Sequence, residues 1–254
     1  MAIKKENFSR RDFIKNSSMF AGGVVLVSLL NPLKVVYATK KPKGKGKWYG
    51  IAIDIEKCIG CANCARSCKA ENGVPNEPFF FRNWVEQYTI TNDDEVKVSS
   101  PNGGIDGFTQ PVSDDEIYKT FFVPKMCNHC AISPCTQVCP VGASFESPEG
   151  IALVDKSYCI GCGYCVQACP YGCRYIDPAQ GVADKCTLCY HRLEKDLDPA
   201  CMMACPTGAR IYGDLNDKTS ELYLFIKENN CAVLKPQLNT KSKLYYKDLS
   251  QEVH

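Results

Sequence analysis

Short apolar stretches alternate with groups of closely spaced cysteines along this chain of 254 residues. One such stretch, residues 49–54, precedes the first group, and a similar one, residues 150–155, precedes the third. Alternating or short continuous apolar runs of this length are typical of β-strands. We predict a short helix after each group, beginning near its fourth cysteine. The chain therefore contains a repeat of strand, cysteine group and helix.

Three segments outside the repeat have patterns of their own. Between residues 189 and 201, leucines four residues apart predict a helix that Asp198-Pro199 should end. Residues 217–230 predict a further helix, with an inner face formed by Leu222, Phe225 and Ile226. The segment after Pro236 is predicted to be irregular or strand-like, and it could lie across a partner protein.

Sixteen of the eighteen cysteines form four rows of four. The rows contain Cys58, Cys61, Cys64 and Cys68; Cys127, Cys130, Cys135 and Cys139; Cys159, Cys162, Cys165 and Cys169; and Cys186, Cys189, Cys201 and Cys205. Rows one and three are spaced C-x2-C-x2-C-x3-C, as in bacterial two-cluster ferredoxins, and the other two lengthen only the middle step. Because a cubane cluster takes four thiolates, the rows predict four [4Fe–4S] clusters and a protein that carries electrons.

The row spacing suits the geometry of a cubane cluster. Three ligands two or three residues apart let a backbone loop wrap one cluster, and the fourth ligand reaches a neighbouring cluster. Proline follows the fourth cysteine of rows two, three and four, whereas Lys69 follows that of row one. Gly60 and Gly161 lie inside the loops of rows one and three, where the absence of a side chain lets backbone amides approach the cluster sulfurs.

Zinc sites and disulfides are the alternatives for so many cysteines. Paired C-x2-C steps also build zinc sites, but a third cysteine three residues on adds nothing to such a site. An even number of cysteines in an exported protein also suits a disulfide framework, but those scaffolds are usually short and lack repeated rows with C-P endings. Both alternatives are disfavoured relative to iron–sulfur clusters.

The cysteines outside the rows and the histidines have other interpretations. Cys173 and Cys231 are predicted to be structural, since free cysteine packs like a small hydrophobe. His129 lies inside row two, and two interpretations of it stay open. Either it tunes a cluster through a hydrogen bond or its charge, or it is a loop residue with no such role. His191 is expected on a helix surface.

The N-terminus carries a twin-arginine pattern at Arg10 and Arg11. A twelve-residue apolar stretch, residues 19–30, follows it; this is too short for a transmembrane helix and suits the hydrophobic region of a signal peptide, with cleavage after Ala38. The twin-arginine route exports folded proteins, so clusters would be inserted in the reducing cytoplasm before export. We therefore predict a location at the periplasmic or exoplasmic face of the membrane.

The charge of the chain argues against some functions. The formal net charge is +2, and because residues 1–38 carry +4, the rest of the chain carries about −2. No global basic field therefore indicates nucleic-acid binding. Residues 39–47 are rich in lysine, proline and glycine, which suits a basic flexible linker.

The fifty-eight residues between Cys68 and Cys127 interrupt the repeat. They contain an aromatic group within residues 79–88, an acidic stretch rich in glycine and proline, and two further phenylalanines at 121–122. One interpretation is a strand-and-loop elaboration that covers a cluster. The other is a docking surface, because exposed aromatic groups anchor many interfaces. Both can hold together.

The sequence shows no substrate site. It contains no nucleophile–base signature, phosphate-binding loop or dinucleotide-binding fingerprint. Chemistry on a substrate is therefore assigned to another subunit, and the chain is predicted not to be an enzyme on its own. The alternatives are a free-standing soluble periplasmic carrier of the ferredoxin type and a self-sufficient iron–sulfur enzyme. A stable complex in mild detergent would favour a subunit over a free carrier.

The chain as a whole resembles the four-cluster iron–sulfur subunits of dimethyl sulfoxide reductase-type complexes. That family includes the electron-transfer subunits of tetrathionate, polysulfide and formate-linked nitrite reductase systems, and the exported members are the most similar. The resemblance covers nearly the whole chain after the signal. It rests on Cys-Ile-Gly-Cys-Ala-Asn-Cys (58–64), Cys-Asn-His-Cys (127–130), Cys-Pro-Val-Gly-Ala (139–143), Cys-Ile-Gly-Cys-Gly-Tyr-Cys (159–165), Ala-Asp-Lys-Cys-Thr-Leu-Cys (183–189) and Cys-Pro-Thr-Gly-Ala-Arg (205–210).

The resemblance implies an α+β fold of two pseudo-symmetric bacterial ferredoxin-like modules. Rows one and four would form one module, from residues 48–76 and 183–214, and rows two and three the other, residues 123–182. Residues 77–122 would be a strand-and-loop insertion that faces a partner, and residues 215–254 a C-terminal helix and extended tail. Spacing alone leaves the pairing open, because rows three and four are as close in sequence as rows two and three.

The same resemblance implies that the fourth cysteine of each row serves the cluster of the paired row. Cluster 1 would be bound by Cys58, Cys61, Cys64 and Cys205, and cluster 2 by Cys68, Cys186, Cys189 and Cys201. Cluster 3 would be bound by Cys127, Cys130, Cys135 and Cys169, and cluster 4 by Cys139, Cys159, Cys162 and Cys165. The implied function is a relay of single electrons between a multi-helix, quinone-linked membrane subunit and a catalytic subunit with molybdopterin or several haems.

Overall fold

The computed structural model describes residues 46–77 and 79–253. The predicted signal peptide, with Arg10 and Arg11, and residues 39–45 of the predicted linker lie outside the described residues. Within them, small sheets and short helices bring the cysteine rows together. No helix in the two described ranges is long and apolar enough to cross a membrane.

Four strands form one sheet, in the order β10–β11–β1–β9. The strand β1 (Tyr49–Asp54) is confirmed at its predicted position and leads directly into row one. It pairs antiparallel with β9 (Arg210–Asp214) and parallel with β11 (Leu244–Lys247), and β10 (Cys231–Ala232) forms an edge. The segment after Pro236 thus ends in a strand of this sheet, which agrees with the prediction of a strand-like tail.

Apolar side chains cover both faces of this sheet. On one face Ile51, Leu244 and Tyr246 are buried in the main core, and the Tyr246 hydroxyl donates a hydrogen bond to the Pro124 carbonyl oxygen at 3.0 Å. On the other face lies the helix α6 (Glu221–Glu228), which confirms the helix predicted within residues 217–230. The residues predicted for its inner face, Leu222, Phe225 and Ile226, do face inwards, and they pack against Ala52 and Ile211 of the sheet.

Residues of the insertion, together with the four residues that follow it, form a three-stranded antiparallel sheet in the order β3–β2–β4. The strands are β2 (Asn83–Thr91), β3 (Val96–Ser99) and β4 (Ile117–Met126). Asn83 pairs with Met126 at one end of this sheet. Next to that end, Val85 shares a small buried cluster with Cys64 and Cys201. The insertion therefore covers parts of rows one and four.

One β-hairpin connects rows two and three, and another connects rows three and four. The first pairs β5 (Ser144–Glu146) with β6 (Ala152–Val154), and the second pairs β7 (Arg174–Ile176) with β8 (Ala183–Lys185). Each hairpin follows the fourth cysteine of one row and leads into the next row. The strand β6 is shorter than the stretch 150–155 that the sequence predicts, because Gly150 adopts a left-handed turn with φ 79°.

The helices of the rows begin earlier than the sequence predicts. Each contains the third cysteine of its row; they are α1 (Asn63–Asn72), α2 (Pro134–Gln137), α3 (Tyr164–Gln167) and α5 (Ala200–Met203). Three of them end before the fourth cysteine because proline follows it, and a residue before proline is disfavoured in the helical conformation. In row one Lys69 replaces that proline, and α1 continues through Cys68 to Asn72.

The helix predicted in the long middle of row four is also shorter than expected. The helix α4 (Tyr190–Leu193) is a single turn, with His191 exposed on it as predicted. Asp196 then adopts a left-handed conformation with φ 54°, and Arg192 Nε donates to the Asp198 carbonyl oxygen at 2.7 Å. Leu197 is exposed instead of extending a buried stripe. The prediction from leucine spacing therefore overestimated the length of this helix.

Candidate metal centres

All eighteen cysteines are free thiols, so none is held in a disulfide. Two cavities are lined by row cysteines. One is lined by Cys58, Cys61, Cys64 and Cys205, and the other by Cys139, Cys159, Cys162 and Cys165. Each cavity thus joins three cysteines of one row with the fourth cysteine of another. We name these groups site 1 and site 4.

Electrostatic interactions link the remaining row cysteines across the rows as well. Burial raises the pKa of Cys68 well above its usual value, and the charges of Cys186, Cys201 and Cys189 add to the effect. Burial also raises the pKa of Cys130 to about 12, with contributions from Cys127, Cys135 and Cys169. We name the first group site 2 and the second site 3. Sites 1 and 4 each surround one cavity, and the assignment of all sixteen cysteines to particular clusters stays a prediction.

The quartets suit a cluster better than a single ion. Among the described residues, no three His, Cys, Asp or Glu side chains converge closely enough to bind one metal ion. In sites 1 and 4 the thiols line the wall of a cavity. Zinc draws its thiolates to about 2.3 Å from one metal, whereas a cubane spreads four thiolates around four irons. Four thiols around a cavity are the donor set and arrangement that a [4Fe–4S] cluster requires.

A left-handed turn precedes the second cysteine of every row. The residues with positive φ there are Gly60 (71°), His129 (42°), Gly161 (69°) and Leu188 (54°). The turn directs backbone N–H groups at the first cysteine of the row, as the hydrogen bonds to Cys127 Sγ (3.5 Å) and Cys186 Sγ (3.3 Å) show. A residue with a side chain loses about 1–2 kcal/mol of folding free energy in this conformation. His129 in row two and Leu188 in row four therefore adopt the turn at a cost to the stability of the protein.

Glycine is required in two of these turns by close packing as well. A Cβ atom at Gly60 would lie 2.5 Å from the Phe122 ring, and one at Gly161 would overlap the Gly181 carbonyl oxygen. The predicted approach of backbone amides is present in row one, where the Gly60 N–H donates to Cys58 and opposes the rise in pKa that burial causes. The backbone therefore stabilises negative charge on the sulfur of that cysteine.

The fourth cysteines have two different environments. Burial opposes ionisation of Cys139, but backbone N–H groups of the following loop, including that of Ser144 at 3.4 Å, outweigh it and lower the pKa. Cys68 lies inside α1, where backbone N–H groups are engaged in the helix. Its sulfur accepts a hydrogen bond from Asn72 Nδ2 at 3.6 Å instead. The replacement of proline by Lys69 thus changes the donors around this sulfur.

The two cysteines outside the rows differ from one another. Cys173 is buried as predicted, but it also borders a site, because a hydrogen bond with its side chain lowers the pKa of Cys169 to about 6. Cys231 is only half-buried, in the edge strand β10. The prediction of a purely structural role is therefore too simple for Cys173.

His129 is fully enclosed in the row two loop. Burial and then the charges of Lys185, Lys243 and Arg174 hold its pKa well below the usual range, so the ring is neutral. Nδ1 accepts a hydrogen bond from the Ala152 N–H at 3.2 Å, which leaves the proton on Nε2. Nε2 has no hydrogen-bond partner among the described residues. The hydrogen-bonding role considered for this side chain is therefore open to its Nε2–H group.

The four sites follow one another in the order 1, 2, 3, 4. Cys64 of site 1 and Cys201 of site 2 share one small buried cluster, and Cys135 of site 3 and Cys165 of site 4 share another. Between sites 2 and 3, burial raises the pKa of Cys186 to about 12 and the nearby charge of Cys127 adds to it. The sites therefore form a continuous row through the protein.

Two buried arginines beside the sites are absent from the sequence-based predictions. Arg210 Nη2 lies 3.3 Å from Cys64 Sγ, and Arg174 Nη2 donates to Ser144 Oγ at 2.8 Å. Each arginine follows a fourth cysteine by five residues, in the C-P-x-G-x-R segments 169–174 and 205–210. That repeated spacing is the signal by which the sequence could have identified them.

Comparison with known proteins agrees with this chemistry. Two families, each described as a 4Fe-4S dicluster domain, match residues 57–143 and 118–215. The chain is 36% identical to a tetrathionate reductase subunit of Salmonella typhimurium, over 94% of this chain and 87% of the relative. It is 40% identical to the corresponding tetrathionate reductase subunit of Archaeoglobus fulgidus, over 84% and 91%, and 35% identical to protein NrfC of Escherichia coli, over 94% of each. The chain thus contains two ferredoxin-like [4Fe–4S] domains of mixed helix and strand.

Proposed function

Because this chain belongs to the family of iron–sulfur electron-transfer subunits of respiratory reductase complexes, we propose that it relays single electrons through four [4Fe–4S] clusters. The chain itself is non-catalytic. The observation that carries the proposal is the continuous row of four thiol sites. Cys61 and Cys162, the exposed cysteines, belong to the two sites at its ends. Electrons would therefore enter at one end of the row and leave at the other.

Under this proposal each site holds one cluster, and all sixteen cysteines of the sites are ligands. The fourth cysteines exchange between paired rows, so Cys205 and Cys68 link rows one and four, while Cys169 and Cys139 link rows two and three. The bound clusters supply the one-electron chemistry. The protein holds them next to one another, donates backbone hydrogen bonds to their ligands, and excludes water from the contacts between sites. These are the influences that set cluster potentials.

The division into two pseudo-symmetric modules follows from the same pairing. One module comprises residues 48–76 and 183–214, which is supported by the pairing of β1 with β9. The other comprises residues 123–182, with the β5–β6 hairpin that joins its rows two and three. Arg210 and Arg174 occupy corresponding positions after rows four and three, which supports a repeated module. Residues 215–254 then add the helix α6 and the tail to the first module.

We assign the outer face of the insertion, residues 77–122, to a partner subunit. Phe79 is 90% exposed, and it lines a surface cavity together with Phe81, Trp84 and Asp106. An exposed aromatic side chain beside an open cavity is typical of an interface. The inner face of the same insertion covers sites 1 and 2, so a partner bound here would lie close to one end of the relay.

The partners that fit this role are a quinone-linked, multi-helix membrane subunit and a catalytic subunit with molybdopterin or several haems. Tetrathionate reductase and NrfC are the named systems of the relatives, and they support a place in anaerobic respiration. We further propose that the twin-arginine pattern at Arg10 and Arg11 directs the loaded protein to the periplasmic or exoplasmic face of the membrane.

The count of clusters can be tested on the purified, anaerobically prepared protein. Four cubanes predict about sixteen iron atoms per chain, and four reducible species in electron paramagnetic resonance (EPR) spectra during a redox titration. Eight or fewer irons in a fully reconstituted sample would contradict the proposal.

The export route makes a separate prediction. Replacing Arg10 and Arg11 with lysine should leave the protein in the cytoplasm with its clusters in place, because twin-arginine recognition acts on the folded precursor. Cell fractionation combined with iron analysis checks this, and Lys4→Arg with Lys5→Arg in the same segment is the control that should export normally. Normal export of the double arginine variant would reject the assignment.

A further inference from the structure

Three cations that are no more than 6% exposed lie beside the thiol sites without a carboxylate partner. Arg174, Lys185 and Arg210 are 5%, 1% and 6% exposed. Among the described residues none of them forms a salt bridge. The buried Arg82 provides the contrast, since its Nη2 lies 2.8 Å from Asp184 Oδ1 and its charge is balanced there. The other three positive charges need another source of compensation.

Arg210 lies at the contact between sites 1 and 2. Its Nη2 atom is 3.3 Å from the sulfur of Cys64, a thiol of site 1. Burial opposes the charge of Arg210, but the charges of Cys64, Cys201 and Cys58 outweigh it and raise the arginine pKa. Since Cys201 belongs to site 2, one guanidinium interacts with thiols of both sites.

Arg174 has the same relation to sites 3 and 4. Burial opposes its charge, but the thiols of Cys135 and Cys127 in site 3 and of Cys165 in site 4 outweigh it and raise the pKa. Nη2 donates to Ser144 Oγ, whereas Nε and Nη1 are buried with no hydrogen-bond partner among the described residues. Two nitrogen atoms of the guanidinium, Nε and Nη1, are therefore available to donate to acceptors that occupy the sites.

Lys185 lies between the remaining pair, sites 2 and 3. Its Nζ donates to the carbonyl oxygen of Cys186, a residue of site 2. Its charge interacts with the thiols of Cys186 in site 2 and of Cys135 in site 3. Lys185 also stands directly opposite Arg174 across the β7–β8 pair. Each of the three contacts in the row of sites thus has one buried cation.

Such an arrangement is unstable unless negative charge lies between the cations. A buried charge without a partner is expensive, and like charges directly opposite on paired strands destabilise the pair. Four cysteine thiolates make each occupied site negative, and an added electron makes it more so. We propose that Arg210, Lys185 and Arg174 are charge-compensating residues, one at each contact between neighbouring sites, that stabilise the reduced state of the two clusters they separate. This inference rests on the four-cluster relay proposed above.

Removing one of these positive charges should therefore lower the reduction potentials of the two clusters beside it and leave those of the other two unchanged. We expect Arg210→Gln and Arg174→Gln to make disjoint pairs of clusters harder to reduce, and Lys185→Gln to affect one cluster of each pair. At a fixed potential, the ratio of reduced to oxidised cluster should fall at least tenfold in each affected cluster. For a one-electron couple this corresponds to a decrease of about 59 mV in the reduction potential. Potentiometric titration of the loaded protein, followed by EPR, measures it. The test compares which EPR signals shift in each of the three variants, so no signal has to be assigned to a particular cluster beforehand.

Matched variants make the result decisive. Lys156→Gln removes the same charge from an exposed position near site 4 and should leave all four potentials unchanged, whereas Arg174→Lys and Arg210→Lys keep the charge and should keep the potentials. If the glutamine variant of Arg174 or Arg210 loses iron, full loading of the lysine variant of the same residue at wild-type potentials supports the inference, and loss of iron in both overturns it. Unchanged potentials, or an equal shift of all four, also overturn it. A wild-type protein with fewer than four clusters would instead reject the proposed function.

Discussion

Replacing Cys139 with serine is expected to abolish the cluster at site 4 and leave the cluster at site 3 intact. Cys139 belongs to row two, whose first three cysteines are in site 3, but its thiol lines the cavity of Cys159, Cys162 and Cys165. Serine is a poor ligand for iron, so the iron content should fall from about sixteen to about twelve atoms per chain. Because the sites form one row, electron flow through the assembled complex should stop.

The pattern of lost EPR signals checks this result. Cys139→Ser should remove the signal that Cys159→Ser removes, and Cys169→Ser should remove the one that Cys130→Ser removes. Cys231→Ser is the control, since this thiol lies in the edge strand β10 and should be dispensable for iron binding. Loss of the same signal in Cys139→Ser and Cys130→Ser would mean that each row binds its own cluster, and the exchanged pairing would be wrong.

The sequence identified the chemistry of the sites through cysteine spacing, because that spacing reflects the local backbone loop that each cluster needs. It could not identify which rows pair, since the distances between rows two and three and between rows three and four are similar. The pairing depends on the tertiary contact of sheet β10–β11–β1–β9, which joins residues 49–54 to residues 210–214. Long-range strand pairing has no signature in the spacing of the rows.

The differences in helix position have a local cause that the sequence did contain. Proline after the fourth cysteine ends three helices early, and Lys69 lets the first continue. The shortened α4 has a different cause, because only tertiary packing decides whether Leu197 is buried. The roles of Arg174 and Lys185 are also tertiary, since they depend on the register of β7 with β8. Charged residues within cysteine-rich segments are easily taken for solvated ones, and burial is visible only in the fold.

The C-terminal tail shows how a segment far from the rows in sequence supports a site. Strand β11 is inserted between β1 and β10. Just before it, backbone hydrogen bonds join the tail to the row two loop: Ala131 N–H to Lys241 O (2.9 Å), Ile132 N–H to Thr240 O (2.9 Å) and Lys243 N–H to Asn128 O (3.0 Å). The Thr240 hydroxyl also forms a hydrogen bond with Tyr171 at 2.6 Å. The tail therefore holds the loop that supplies three thiols of site 3.

Replacing Leu244 with alanine should accordingly destabilise the whole protein and weaken site 3 in particular. Leu244 is completely buried in β11 and packs in the same core as Ile51 and Cys127. Loss of this side chain should lower the free energy of unfolding by about 2–5 kcal/mol, a large part of the roughly 5–15 kcal/mol that stabilises a typical domain. Urea titration of the loaded protein, followed by circular dichroism and by cluster absorbance, measures both effects.

Leu238→Ala is the matched control for this prediction. Leu238 precedes the same strand but is 47% exposed, so its truncation removes the same atoms from water instead of from the core and should change the unfolding free energy by less than about 0.5 kcal/mol. Because the tail is bonded to the row two loop, the EPR signal lost first in urea from Leu244→Ala should be the one that Cys130→Ser removes. Equal stability of the two leucine variants would show that β11 is not integral to the core, and loss of all clusters at one urea concentration would contradict the link between the tail and site 3.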